Sequence, residues 1–278
     1  MTPRKVNNIL ELVGETPLVR INRMNPVPGV ELLVKLESMN PGGSVKDRVG
    51  LTMIEQAEAT GQLTPGKIVL EASSGNTAIG LAMVCAVKGY RLLVTMSESA
   101  SEERKRILKA YGAQIRLTPG YQGTDGAIEE AYRLAREEPD KYFLVDQFNN
   151  PDAAAGYAPL AKELWEQSGG KLDAFVQSVG TAQCITGVAR VLRRRQARIR
   201  IVAVEPSESP VLSGGAPGAH KIEGVGPGFV PPLWRTDLAD EIVQVSTAEA
   251  KAMARRLARE EGLFAGTSSG ANVVAALA

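Results

Sequence analysis

The stretch Lys67–Gly80, "KIVLEASSGNTAIG", decides how this chain folds. "KIVLEA" has the apolar, β-branched character of a strand, Ser73 to Thr77 are small or polar, and an apolar helical run follows. A strand that ends in a small-residue turn and passes straight into a helix is half of a β-α-β unit. The same alternation extends outward in both directions. Strand-like runs recur as "ELLVKLE" at 31–37, "RLLVTM" from 91, "AQIRLT" from 113, "YFLVD" from 142, "DAFVQSV" from 173 and "RIRIVAVE" from 198. Helical runs such as "SEERKRILKAYG", "GAIEEAYRLAREE" and "ITGVARVLRRR" lie between them. The pattern predicts an α/β fold with mostly parallel, doubly wound sheets. The strands are too many for one compact unit at this spacing, and "QFNNPDAAAG" at 147–156 reads as a joint.

With 278 residues and a formal net charge of +1, the chain can bury a large core and has no electrostatic reason to bind nucleic acid or an anionic membrane. The triplet Arg193–Arg195 reads as a solvated helix end. The start, "MTPRKVNNILELVGETP", lacks a secretory apolar stretch and no later segment reads as a membrane span, so a cytoplasmic location is expected. Cys85 and Cys184 are too few for a disulfide framework or zinc cluster and read as buried thiols. His220 is the only histidine, which rules out a histidine-pair metal site; no metal is expected, and lysine becomes the candidate base. The proline- and glycine-rich segment 206–238 is a long functional loop. Its Gly224-Val225-Gly226 is not a dinucleotide fingerprint, since no strand leads in and Pro227 follows. "SSGANVVAALA" at the end reads as a helix still running, so residues beyond Ala278 are expected.

Three places invite chemistry. In "NPGGSVKDR", Asn40–Arg48, the turn residues explain themselves and Ser44 suits a cap, but Lys46 opposes the dipole of the helix it opens. A solvated surface lysine and a functional cation both remain open for it. In the "SSGNT" turn, hydroxyls, an amide and backbone N–H groups suit a small carboxylate or merely an N-cap. In "SVGTAQCITG", Gly180 to Cys184 join a strand to a helix, suiting a phosphate or nothing at all. A lysine, a phosphate turn and a carboxylate turn together suggest pyridoxal 5'-phosphate acting on an amino acid.

These motifs, with "LVGETPLVRI" from 12, "QFNNP", "HKIEGVGPGFVP" and "GTSSGA" in the same order, resemble the cysteine synthase (O-acetylserine sulfhydrylase) family of fold type II pyridoxal phosphate enzymes. The resemblance implies a tryptophan synthase β-like architecture of two α/β domains with the cofactor cleft between them. A smaller mobile domain would span 38–147, and 1–37 with 148–278 would form the larger, cofactor-anchoring one. It implies Lys46 as the Schiff-base lysine, and Ser73, Ser74, Gly75, Asn76, Thr77 and Gln147 around the substrate carboxylate. Asn76 would also meet the cofactor's phenolic oxygen, Gly180, Thr181, Ala182, Gln183 and Cys184 its phosphate, and Ser268 its pyridine nitrogen. A hydroxyl at that nitrogen, unlike an aspartate, does not hold it protonated, which favours β-elimination. The implied reaction makes L-cysteine from O-acetylserine and sulfide through an α-aminoacrylate, with the Lys46 amine removing the Cα proton. A homodimer is implied, with serine acetyltransferase as a candidate partner.

Cystathionine β-synthase, O-phosphoserine sulfhydrylase and cysteine desulfhydrase are neighbouring activities, and a non-catalytic binding scaffold is the reading from another class. No phosphate-binding arginine is evident in the sequence beside the carboxylate turn. The chain departs from the family at two places. Ala182, Gln183 and Cys184 replace the Gly-Gly-Thr of a Gly-Thr-Gly-Gly-Thr loop, and "DAAAGYAP" at 152–159 replaces an Ala-Asn continuation with a later histidine. The expectation is a retained cofactor of reduced affinity, tightened by Ala182→Gly, Gln183→Gly and Cys184→Thr together.

Overall fold

The computed structural model describes residues 5–278. The chain divides into two compact units, one of Met1–Glu15 with Glu37–Gly156 and the other of Thr16–Leu36 with Tyr157–Ala278. The sequence reading set its boundaries at 37/38 and 147/148. The compact units instead group 1–15 and 148–156 with the first sheet.

Two short strands, β1 (Leu18–Arg20) and β2 (Leu33–Lys35), pair antiparallel and belong to the second unit. The first unit then runs α1 (Lys46–Ala59), β3 (Ile68–Ala72), α2 (Asn76–Lys88), β4 (Arg91–Ser97), α3 (Glu102–Ala110), β5 (Gln114–Thr118), α4 (Gly123–Glu137) and β6 (Tyr142–Leu144). Its four strands are all parallel, in the order β5-β4-β3-β6. Side chains alternate between sheet faces, so Ile68, Leu70, Ala72 and Leu93 pack on Ala127, Ala131 and Leu134 of α4. Val69, Glu71 and Val94 face the other way, where α2 lies, and all three are buried. Burial on both faces explains the continuous apolar runs of β3 and β4. Parallel order also places every strand-to-helix turn at one edge of the sheet.

The second unit continues with α5 (Ala158–Gln167), β7 (Ala174–Ser178), α6 (Gln183–Arg195), β8 (Arg200–Pro206), β9 (Glu241–Val245), α7 (Thr247–Glu261) and α8 (Thr267–Leu277). Its parallel sheet has the order β7-β8-β9. Val204, Val245, Ala250, Ala271 and Ala275 form its core with Ile222 from the long loop. Ile21 and Met24 pack on Met253, Leu257 and Val273, tying the β1–β2 region to α7 and α8. The sequence pattern leaves β1, α5, β9 and α7 unassigned. β1 is three residues long, α5 follows the joint at 147–156, and β9 and α7 follow the long loop that interrupts the alternation. No helix among the described residues is long and apolar enough to cross a membrane.

Candidate active site

Lys46 is the first residue of α1 and is half-buried. The Ser44 hydroxyl accepts its backbone N–H at 3.1 Å, although the N-cap itself is Val45, which makes no side-chain cap. A polar network that the sequence reading missed fixes this turn. The buried Asp47 carboxylate accepts the Gly42 N–H at 2.5 Å, and burial pushes its pKa up to about 6. Arg48 forms a buried ion pair with Glu37 at 2.7 Å. Asn40 donates to Glu37 at 2.8 Å and accepts the Gly14 N–H at 2.8 Å. The available signal was "KDR" itself, since an acid and a base in a helix's first turn behind a glycine pair ask for local partners.

The next element, α2, carries the carboxylate turn. It lies against α1 closely enough that a Cβ on Gly80 would come within 3.0 Å of the Lys46 carbonyl oxygen. The N-cap of α2 is Gly75 in extended backbone, and no side chain caps the helix. The plain N-cap reading of "SSGNT" therefore fails, whereas α3 and α7 do carry serine caps, from Ser101 and Ser246. Ser73 and Thr77 are buried, Ser74 and Gly75 half-buried and Asn76 exposed. The Ser73 hydroxyl accepts the Gly75 N–H at 3.3 Å.

Gln147, buried just after β6, is brought to this turn. Its Oε1 accepts from the Thr77 hydroxyl at 2.7 Å. Its Nε2 donates to Glu71 Oε1 at 3.0 Å and to the Ala72 carbonyl at 3.3 Å. Seventy residues of sequence separate the Thr77–Gln147 pair; only sheet topology joins it. Arg104 corrects the sequence reading on another point. It donates from α3 to the Ser74 carbonyl at 3.2 Å, placing an arginine beside the turn.

In the second unit, Gly180 to Ala182 lie between β7 and α6 and Gln183 and Cys184 open α6, with Thr181, Ala182, Gln183 and Cys184 buried. Ala182, the N-cap, has φ 65° and ψ −7° and makes no side-chain cap to α6. A left-handed residue at a helix start is a backbone arrangement of the kind that builds anion nests. The loop 206–238 closes over this turn. Gly226 N–H donates to the Val179 carbonyl at 3.0 Å, and a Cβ on Gly180 would meet Gly224 O at 2.5 Å.

Glu205 anchors the same loop by accepting the backbone N–H groups of Leu212 and Ser213. His220 is structural: its Nδ1 accepts from the Ile222 N–H, which leaves Nε2–H to donate to Gly226 O at 2.8 Å. Ser268 is half-buried in the first turn of α8. That helix is tied to the loop by the Thr267 hydroxyl, which accepts the Glu223 N–H at 3.2 Å. It is tied to β7 by Asn272, which accepts the Ser178 N–H at 2.6 Å. Cys85 and Cys184 are both buried and neither forms a disulfide, and burial pushes the Cys85 thiol up to about 12.

The predicted residues thus fall into two groups: Lys46, Ser73–Thr77 and Gln147 in the first unit, Gly180–Cys184 and Ser268 in the second. A lysine, a hydroxyl-rich turn and an uncapped nest are the donor set a phosphorylated carbonyl cofactor asks for. The family description "Pyridoxal-phosphate dependent enzyme" matches residues 9–278. The chain belongs to the pyridoxal-phosphate dependent enzyme family. It is 47% identical to a cysteine synthase of Staphylococcus aureus over all of this chain and 89% of that protein. The crystal structure of a cysteine synthase from Entamoeba histolytica matches with a TM-score of 0.97 at 44% identity, covering 100% of this chain and 83% of that one. A hydrogen sulfide-producing enzyme from Fusobacterium nucleatum matches with a TM-score of 0.93 at 40% identity, covering 98% and 92%.

Proposed function

We propose that this protein makes L-cysteine from O-acetylserine and sulfide with pyridoxal phosphate. The observation that carries the reading is the contact between two helices: α1, which opens on Lys46, and α2, which opens on the uncapped Ser73–Thr77 turn. A cation able to act as a base and a turn able to hold a carboxylate are thereby fixed on neighbouring supports in one unit. The S. aureus and E. histolytica relatives, both cysteine synthases, support it.

Bound pyridoxal phosphate supplies an electron sink that acidifies the substrate's Cα–H and a carbonyl for covalent attachment at Lys46 Nζ. Ser73, Ser74, Asn76, Thr77 and Gln147 orient the substrate carboxylate, with Asn76 also serving the phenolic oxygen. The Gly180–Cys184 turn and the α6 dipole would hold the phosphate, with the Thr181 hydroxyl as a further donor. Ser268 would offer the pyridine nitrogen a hydroxyl, too weak an acid to protonate it. With the cofactor bound, Lys46 Nζ would take the Cα proton as acetate leaves Cβ and would return a proton to Cα as sulfide forms the new C–S bond. On this reading the region 38–147 moves and the remainder anchors the cofactor. The enzyme is a cytoplasmic homodimer with serine acetyltransferase as its protein partner, points that rest on the sequence resemblance.

Arg104 favours a second donor, O-phosphoserine, since a guanidinium at Ser74 suits a phosphate leaving group. Borohydride reduction of the loaded protein followed by peptide mapping is expected to place the pyridoxyl label on Lys46. Lys46→Ala is expected to lower cysteine formation by about 10³-fold. A label on Lys35 or Lys67, or no visible absorbance after loading, would refute the assignment. A larger kcat/KM for O-phosphoserine that collapses in Arg104→Ala would establish the second donor.

A further inference from the structure

Glu71 is a carboxylic acid in the middle of the first unit's sheet. Its partner on β4, Val94, is apolar, and it is 2% exposed. No charged side chain opposes it from α2, whose first turn offers Thr77, and β4 presents Val94 at the matching register. The titratable groups that act on it electrostatically are Asp146, just after β6, and Tyr132 on α4, across the sheet. These two bind each other, Tyr132 donating to Asp146 at 2.7 Å with Asn149 donating to the same carboxylate at 3.0 Å. Glu71 Oε1 accepts from Gln147 Nε2, while Oε2 is buried without a hydrogen-bond partner. Such an acid is expensive to bury without a task, and its side-chain partner is the residue assigned to the substrate carboxylate.

We propose that Glu71 is a positioning residue that holds the Gln147 carboxamide in register with Thr77, so that amino-acid binding depends on whether Glu71 is neutral. The proposal rests on the assignment of Gln147 to the substrate carboxylate. The geometry supplies both halves of it. An amide pinned at Oε1 by Thr77 and at Nε2 by Glu71 cannot flip, so its orientation is set before the ligand arrives. Burial, reinforced by the nearby Asp146 charge, pushes Glu71 up to about 8, against the lowering effect of its hydrogen bonds from Gln147 and the Asp146 backbone. The raised pKa favours the neutral form of Glu71, and its partnerless Oε2 costs less as a hydroxyl than as part of an anion. Above that pKa the carboxyl ionises, and a negative charge then stands one amide away from the site of the substrate carboxylate.

The test uses the cofactor-loaded protein and an unreactive amino acid, L-alanine, titrated by the visible spectrum of the cofactor. Dissociation constants are measured from pH 6.5 to about 9.5 for wild type, Glu71→Gln, Glu71→Ala and Gln147→Ala, each taken as a ratio to wild type so that titration of the ligand amine cancels. At pH 7 Glu71→Gln is expected to stay within about threefold of wild type and Glu71→Ala to weaken binding about tenfold, because only the glutamine can accept from Gln147 Nε2. Wild type is expected to lose about tenfold in affinity relative to Glu71→Gln as pH rises through 8. Thermal melts give a readout independent of the ligand. An acid with a raised pKa stabilises the fold below its unfolded value and loses that contribution as pH rises through its folded value, so the stability of wild type relative to Glu71→Gln is expected to fall between about pH 4.5 and 8. If Glu71→Ala does not fold, the pH-dependent ratio of wild type to Glu71→Gln still decides. A flat ratio, or Glu71→Ala binding like wild type while Gln147→Ala is weak, overturns the Glu71 proposal alone. Wild-type affinity in Gln147→Ala overturns the carboxylate assignment, and the proposal falls with it.

Discussion

The turns that open α2 and α6 both join a parallel strand to a helix and are built differently. At α2 the side chains carry the work: two serines, an asparagine and a threonine surround Gly75, and Gln147 is locked to Thr77. The backbone there is relaxed, with Gly75 at φ −122°. At α6 the backbone carries it. Ala182 sits at φ 65° and Gly180 is pressed against Gly224 O, while the side chains that replace the family's glycines point into a buried environment. The comparison teaches that equal composition signals need not mean equal tolerance, because a turn built from side chains fails by losing donors and a turn built from backbone fails by losing conformation.

Paired alanine substitutions break the comparison most sharply. In Gly180→Ala the new Cβ meets a carbonyl oxygen at 2.5 Å. Denaturant unfolding of the second unit is expected to show a loss of about 1–3 kcal/mol, with weakened cofactor retention. In Gly75→Ala the Cβ meets nothing within 4 Å at an ordinary φ, and the expected change in stability is below about 0.5 kcal/mol. Equal costs at the two sites would erase the distinction.

Removing a side chain tests the other arm. Gln147→Ala takes away a polar group from the α2 turn and leaves the α6 turn untouched. Amino-acid affinity is expected to fall about tenfold, roughly 1.4 kcal/mol, while the resting cofactor spectrum stays the same. A changed resting spectrum with unchanged amino-acid affinity would move Gln147 from the substrate to the cofactor.

The smallest effect sharpens the reading of the altered phosphate loop. Of its three replacements only Ala182 has a positive φ, and Gln183 and Cys184 already lie within regular helix. Ala182→Gly alone is expected to stabilise the protein by about 1 kcal/mol and to tighten cofactor binding about fivefold. Gln183→Gly is expected to bring no gain and to cost about 1 kcal/mol in helix propensity. Apoprotein titration with pyridoxal phosphate separates the single variants. If Gln183→Gly tightens binding as much as Ala182→Gly, side-chain crowding rather than backbone strain limits the loop.

The alternation of strands and helices and the small-residue turns that open α1, α2 and α6 were legible in the amino-acid order, because period and turn chemistry are local properties. "NPGGSVKDR", "SSGNT" and "GTAQC" could be located to the residue for the same reason. What the order of residues left open was decided by packing. Glu71 reads as one polar residue in an apolar strand until the sheet buries it and β6 delivers Gln147 to it. Arg104 reads as part of a charged helix face until α3 turns it toward Ser74. The strain at Ala182 is invisible in composition, since alanine is the best helix former, and only its φ of 65° shows that the turn demanded a glycine's conformation. Partners distant in sequence, buried charge and backbone dihedral angles exist only after the chain has closed on itself. Those are the quantities that convert recognisable turns into a site with a chemistry.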